Sequence, residues 1–165
     1  MIKIVKLSAS IIIFILPLIV WGGCTNEDTV VLENSIRDAT PPTSELMKDT
    51  IMIMIGDNHF TAILESNATA TEFKKMLPLN ISMKDLNSNE KFFDFSTDLP
   101  ANASKPNRIN SGDLMLWGSN TLVLFYKAFD TSYSYTRLGR IENPGGLAQA
   151  LGSGNVTVTF EPLRK

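Results

Sequence analysis

Residue types that ordinarily carry chemistry are thinly spread in this chain. One histidine, His59, and one cysteine, Cys24, stand among 165 residues, so neither a multi-histidine metal site nor an internal disulfide can be assembled. A Ser-His-Asp triad would have to use His59, which follows Asp57 and Asn58 in a turn-forming stretch, and no nucleophile-elbow pattern accompanies it. His59 therefore reads as an exposed or edge-strand side chain. Carboxylates are the remaining acid-base candidates: Glu90, Asp94, Asp98 and Asp113 all border one long polar loop. They read as solvated groups, with Asp113, which follows Gly112, bonding nearby backbone amides in a turn. Gly145-Gly146 and Gly152-Ser-Gly154 flank a short helical stretch without the spacing of a phosphate loop. No catalytic residue, metal ligand or cofactor is assigned on this basis.

Recognition is better represented. Trp117, Phe125, Tyr126, Tyr133, Tyr135 and Arg137 fall in or beside two neighbouring loops, and aromatic side chains joined by an arginine suit planar or extended ligands. Arg137 and Arg140 lie three apart on one strand, which places them on opposite faces and leaves Arg137, next to the tyrosines, as the pocket arginine. The candidate binding set is Arg137, Tyr135, Tyr133, Phe125 and Trp117, with a small molecule or peptide as the ligand.

Cys24 has a different role. Lys3 and Lys6 form a basic start, Leu7 to Val20 an apolar run, and Gly22-Gly23-Cys24 a small-residue cleavage site, the layout of a bacterial lipoprotein signal spanning residues 1–23. Trp21 departs from the aliphatic residue usual three places before the cysteine, and an uncleaved anchor over Leu7–Gly23 is the alternative, with Pro17 against a regular spanning helix. In either case the expected location is the bacterial cell envelope. In the lipoprotein reading Cys24 carries the acyl chains that hold the protein to a membrane, each buried CH₂ contributing about 0.8 kcal/mol. Asp28-Thr-Val30 and Asp49-Thr-Ile51 resemble an O-glycosylation sequon, and Glu27-Asp28 a surface-export tag, of the Bacteroidetes type, which hints at outer-membrane or surface display.

Cleavage would remove Lys3 and Lys6, leaving thirteen basic against seventeen acidic residues, a net charge of −4 rather than −2. A mildly acidic domain without a basic cluster is a poor nucleic-acid binder. Residues 24–48, with Pro41-Pro42 and scattered apolar side chains, read as a flexible linker, Val30–Leu32 being a marginal edge strand. One domain then occupies residues 49–165.

That domain must position the aromatic residues with strands. Thr50–Ile55 and His59–Leu64 form a hairpin across Gly56-Asp57-Asn58. Thr69 and Glu72 have capping-box spacing and open a short helix that places Phe73, Met76 and Leu77 on one face and ends at Pro78. Leu79–Leu86 alternates with period two, and Glu90–Phe95 follows as another strand. Beyond the loop at 96–111, Leu114–Trp117 and Thr121–Tyr126 make a second hairpin, whose latter strand is apolar on both faces and therefore central. Arg137–Glu142, a helix at Gly145–Leu151 and Asn155–Glu161 complete eight strands and two short helices. A mainly β, closed eight-stranded barrel satisfies these strands by removing their edges.

The ordered segments Asn67-Ala-Thr-Ala-Thr-Glu-Phe, Leu77-Pro78-Leu, Asn89-Glu90-Lys, Gly112-Asp113-Leu, Leu124-Phe-Tyr-Lys127 and Leu138-Gly-Arg-Ile141 resemble the small bacterial and archaeal cyclophilin-like domain family. The resemblance spans about Thr50 to Phe160 and implies a closed eight-stranded barrel with two helices and no defined activity. True cyclophilins share this barrel and isomerise prolyl bonds with an arginine, aromatics and a histidine in one groove. Here Glu90–Phe95 stands near their Phe-His-Arg motif without an arginine, and Tyr135 takes the place of the histidine in Tyr135–Ile141. Lowering a rotation barrier of about 18–20 kcal/mol or somewhat less needs a donor at the prolyl nitrogen. The expected function is an anchored binding module without isomerase activity; an enzyme of unidentified class, or a purely structural envelope protein, is the alternative.

Overall fold

The computed structural model describes residues 49–163. The signal segment 1–23, Cys24 and the linker 24–48 lie outside the described residues, as does the marginal strand at Val30–Leu32. Among the described residues ten strands and two helices follow one another: β1 (Thr50–Ile55), β2 (Asn58–Leu64), α1 (Ala68–Lys75), β3 (Leu79–Leu86), β4 (Glu90–Asp94), β5 (Arg108–Ile109), β6 (Asp113–Trp117), β7 (Thr121–Phe125), β8 (Phe129–Asp130), β9 (Thr136–Ile141), α2 (Leu147–Leu151) and β10 (Val156–Pro162). Eight of the strands close into an antiparallel barrel in the order β1-β10-β3-β4-β7-β6-β9-β2, while β5 and β8 form a separate two-stranded ladder. All eight expected strands are present, and the closed barrel is as expected. The β5–β8 ladder was not anticipated, because two residues are too few to display a period.

Alternation along each strand sends one set of side chains into the barrel. Ile51, Ile53, Leu114, Leu116, Leu122, Leu124, Val158 and Phe160 fill it, joined by Ala70 and Phe73 from α1 and Leu147 and Leu151 from α2. Phe73 meets Phe160 edge-on at 5.7 Å between ring centroids. The central-strand expectation for β7 holds with a specific cause. Leu122 and Leu124 belong to the barrel core, while Val123 and Phe125 belong to a second buried cluster with Ile109, Met115 and Tyr135, covered by the segments before β6 and before β9.

Three local expectations need correction. Helix α1 is capped by Asn67, whose backbone is extended and whose Oδ1 accepts from the Ala70 amide at 2.8 Å; Thr69 lies inside the helix, its hydroxyl donating to the Pro100 carbonyl at 2.5 Å. Asn ranks with the best N-caps, so the cap moves two residues upstream of the Thr69–Glu72 pair. Helix α2 begins at Leu147 because Gly146, at φ +81°, is not helical. Arg137 and Arg140 are both exposed, on the same outer face of β9. The register jumps from Leu114 opposite Gly139 to Met115 opposite Arg137, so a bulge at Leu138 resets the alternation. Gly139 is required there, since a Cβ would collide with the Ile63 carbonyl oxygen.

Candidate functional site

On β4 the period of two turns Lys91 and Phe93 inward and Glu90, Phe92 and Asp94 outward. The register with β7 sets Phe92 opposite Val123 and Asp94 opposite Thr121, whose hydroxyl donates to Asp94 Oδ1 at 2.7 Å. Phe92 and Val123 form the floor of an outward-facing cleft of about 470 Å³. Leu86, Asn87 and Asn89, at the β3–β4 turn, make one wall; Phe129, Tyr133 and Tyr135 make another; Trp117 stands at the rim beside Thr121. The volume falls in the range of small-molecule sites. The turn wall is strained, with Asn87 and Ser88 both at positive φ, +52° and +54°.

The opposite wall is pinned by backbone pairing. Tyr135 exchanges two hydrogen bonds with Ser104, at 3.0 and 2.9 Å, which ties the segment before β9 to the long loop after β4. Its ring meets Phe125 edge-on at 5.5 Å. Phe125 is fully buried and also packs on Phe129, so it supports the wall from beneath rather than lining it.

Glu90 is the anomaly of this site. The residue is only 9% exposed, and no side-chain hydrogen bond or ion pair reaches it among the described residues. Burial pushes its carboxyl above the usual carboxylate range, and the nearby charge of Asp85 adds to the effect. The adjacent lysine does not relieve it. Lys91 turns to the other side of the sheet, where its fully buried ammonium donates to Asp85 Oδ1 at 2.6 Å, Gly154 O at 2.7 Å and Gly152 O at 2.9 Å. Asp85 accepts again from the Tyr126 hydroxyl at 2.7 Å, and these two donors hold its carboxyl below the ordinary value. Tyr126 is correspondingly pushed up to about 12, by burial first and then by the bond to Asp85. The Tyr135 hydroxyl also shifts upward, through burial and then the charge of Glu90, with its bond to Thr131 acting in the opposite direction.

A second acceptor lacks a donor. The Asn89 backbone carbonyl is satisfied by the Tyr126 and Lys127 amides at 2.9 and 3.3 Å, but its side-chain Oδ1 is buried with no hydrogen-bond partner. Unsatisfied buried acceptors are uncommon in folded proteins and ask for an explanation.

The binding residues expected from sequence divide accordingly. Trp117, Tyr133 and Tyr135 line the cleft, and Phe125 buttresses it. Arg137 is not among the lining residues; its side chain is 43% exposed and its guanidinium lies 3.9 Å from Asp113 Oδ1. Asp113 is a turn residue, as expected, its Oδ2 accepting from the Asn110 amide at 2.8 Å. Of the other carboxylates, Asp98 accepts from Ser119 at 2.7 Å, and only Glu90 and Asp94 face the cleft. Phe92, Val123, Asn89 and Phe129 were not anticipated. For Phe92 the signal was available, since it lies two residues from Glu90 on an alternating strand; for Asn89 and Phe129 the positions depend on turns.

His59 is exposed at the end of the β1–β2 hairpin. Among the described residues no group of three or more His, Cys, Asp or Glu side chains converges as a metal site. A larger groove of about 870 Å³ runs beside α1. Its lysines already have partners, Lys74 with Asp49 at 3.3 Å and Lys75 with Glu72 at 2.7 Å. The smaller cleft, which holds the unpartnered groups, is therefore the candidate site.

Comparison with curated proteins returns no match. Among solved structures the chain is similar to the solution structure of the hypothetical protein AF2241 from Archaeoglobus fulgidus, with a TM-score of 0.50 and 13% identity over 71% of this chain and 96% of that one. That likeness concerns the fold alone. The model of the cyclophilin-like family matches residues 53–161, nearly the whole barrel from β1 to β10, and the chain belongs to that family.

Proposed function

We propose that this protein is a lipid-anchored component of the bacterial cell envelope, whose cyclophilin-like domain binds a small molecule or short peptide in the outer cleft without isomerising prolyl bonds. The observation that carries the binding reading is Glu90, a residue nine-tenths buried whose unpartnered carboxyl faces a cleft of about 470 Å³. A folded protein gains nothing in stability from such a group, whereas a binding site uses it. The lining residues include no arginine, lysine or histidine to donate to a prolyl nitrogen, which supports the absence of isomerase activity.

An enzyme would need a second group near Glu90. Asp94, the other lining carboxylate, is four residues along the same strand face, about 13 Å away at the usual rise, and Thr121 already bonds it. This separation favours binding over acid-base catalysis by a carboxylate pair. The membrane anchor rests on the signal-like residues 1–23 and Cys24.

A thermal-shift screen of the full chain in detergent micelles, against small-molecule and peptide libraries, tests the binding reading. A ligand at 100 times its Kd should add about 2.7 kcal/mol of stability, and the shift should vanish in Tyr135→Ala. No shift from any compound, with a cooperative melt, would return the domain to a purely structural role. Labelled palmitate should be incorporated in the wild type and lost in Cys24→Ala; retention of label in the variant would overturn the lipoprotein reading. A protease-coupled assay on a prolyl peptide should give the uncatalysed rate, and acceleration abolished by a cleft substitution would reverse the isomerase statement.

A further inference from the structure

Resting on the binding reading above, we infer that the cleft selects a small organic cation with N–H donors, a primary or secondary alkylammonium, with Glu90 and Asn89 as its acceptors and the surrounding rings as its walls. Three independent observations converge on this chemistry. Charge comes first: Glu90 and Asp94 are the ionisable carboxyls of the lining, and no lysine, arginine or histidine lines it with them. Glu90 is nine-tenths buried and has no partner. Around it, Asp85 on β3 is occupied by Lys91 and Tyr126, Tyr126 closes β7, Tyr135 precedes β9, and Lys91 belongs to the opposite face of β4. None of these groups pairs with Glu90, and Lys84 on β3 lies against the Phe92 ring, which leaves the Glu90 carboxyl for a ligand cation to meet.

The walls supply the second observation. Phe92, Trp117, Phe129, Tyr133 and Tyr135 all line the cleft, and aromatic faces attract ammonium groups through their quadrupoles. The fold already contains one such contact, because the Lys84 ammonium on β3 lies 5.8 Å from the Phe92 ring centroid. Trp117 and Tyr133 are 54% and 66% exposed, so their rings are open to an incoming molecule.

Hydrogen bonding is the third. Asn89 Oδ1 and the Glu90 carboxyl, consecutive in sequence, are both acceptors without donors. A quaternary ammonium would satisfy the charge but offer no N–H to either. A primary or secondary ammonium answers both, and charge-assisted bonds are the strong ones. The upward shift of the Glu90 carboxyl, set by burial and the charge of Asp85, is one that a bound cation would reverse.

The test is calorimetric titration of the full chain in detergent micelles at pH 7.5 with four ring-matched probes: benzylammonium, benzyltrimethylammonium, benzyl alcohol and benzoate. Benzylammonium should bind most tightly, about tenfold or more over the alcohol and the quaternary ion, with benzoate weakest. Glu90→Gln should remove that advantage, bringing benzylammonium down to the level of benzyl alcohol, and Tyr133→Ala, at an exposed position, should weaken benzylammonium several-fold without altering the melt. Equal binding of the alcohol, or of the quaternary ion, overturns the cation inference. Should the library screen yield ligands lost on Tyr135→Ala while all four probes fail, the binding reading stands and the cation inference falls. Failure of both experiments removes both.

Discussion

Two carboxylates five residues apart, on the paired strands β3 and β4, carry opposite signatures. Glu90, without a partner, has its carboxyl raised by burial; Asp85, bonded by Lys91 and Tyr126, has its own lowered. Because the folded state holds the Glu90 proton more tightly than the unfolded chain, its contribution to stability is full below the unfolded pKa and is lost as pH rises through the folded one. Glu90→Gln should therefore melt higher than wild type at pH 8 and converge with it at about pH 4, near the ordinary carboxylate value. Asp85 runs the other way, its contribution present above its unfolded pKa and lost as pH falls through the folded one. Asp85→Asn should be destabilised at neutral pH and the deficit should shrink in acid; a constant gap across the range would show that packing, not charge, sets it. At this scale the sequence was half legible. The aromatic identities of Trp117, Tyr133 and Tyr135 announced a binding wall, but Arg137 was misplaced: its guanidinium lies beside Asp113 and outside the lining, a placement that sequence spacing does not show.

Elements were more legible than residues, for a physical reason. Period-two alternation and turn residues mark a strand of five or more residues, and every barrel strand has at least that length. The two-residue strands β5 and β8 carry no such mark, yet they hold the cover over the outer cluster. Helix ends were misread where a tertiary contact decides them. Asn67 caps α1 and also donates through Nδ2 to the Arg137 carbonyl at 2.8 Å, so it ties the helix to β9. Asn67→Ala should cost about 1–2 kcal/mol, typical of a lost cap, read from urea unfolding. Thr69→Val, which keeps the shape but loses the bond to Pro100, should cost less, about 1 kcal/mol, and a larger loss from Thr69→Val would restore Thr69 as the principal determinant of this helix end.

The described domain is a barrel with a second, smaller core on its outside, and β7 belongs to both. The family motifs sit where the barrel closes: Lys91 clasps the Gly152–Gly154 connection, Gly139 permits the bulge, and Asp113 fixes a turn. They report the fold and are silent on the ligand, which explains how a sequence could reveal an eight-stranded barrel while leaving its cleft unread. The cleft wall depends on the outer core, and Ile109, fully buried on β5, joins the β5–β8 ladder to it together with Phe129 on β8. Ile109→Ala should cost about 2–5 kcal/mol, but the loss should be local. Amides at 129–135 should exchange faster while those of the β1–β2 hairpin keep their protection, because small peripheral clusters open below the global unfolding energy. Ligand binding should fall with the wall, through Phe129 and Tyr135, even where the barrel stays folded. Equal acceleration in β1 and β2 would mean that the two cores open as one unit, and that the cleft cannot be loosened without unfolding the barrel.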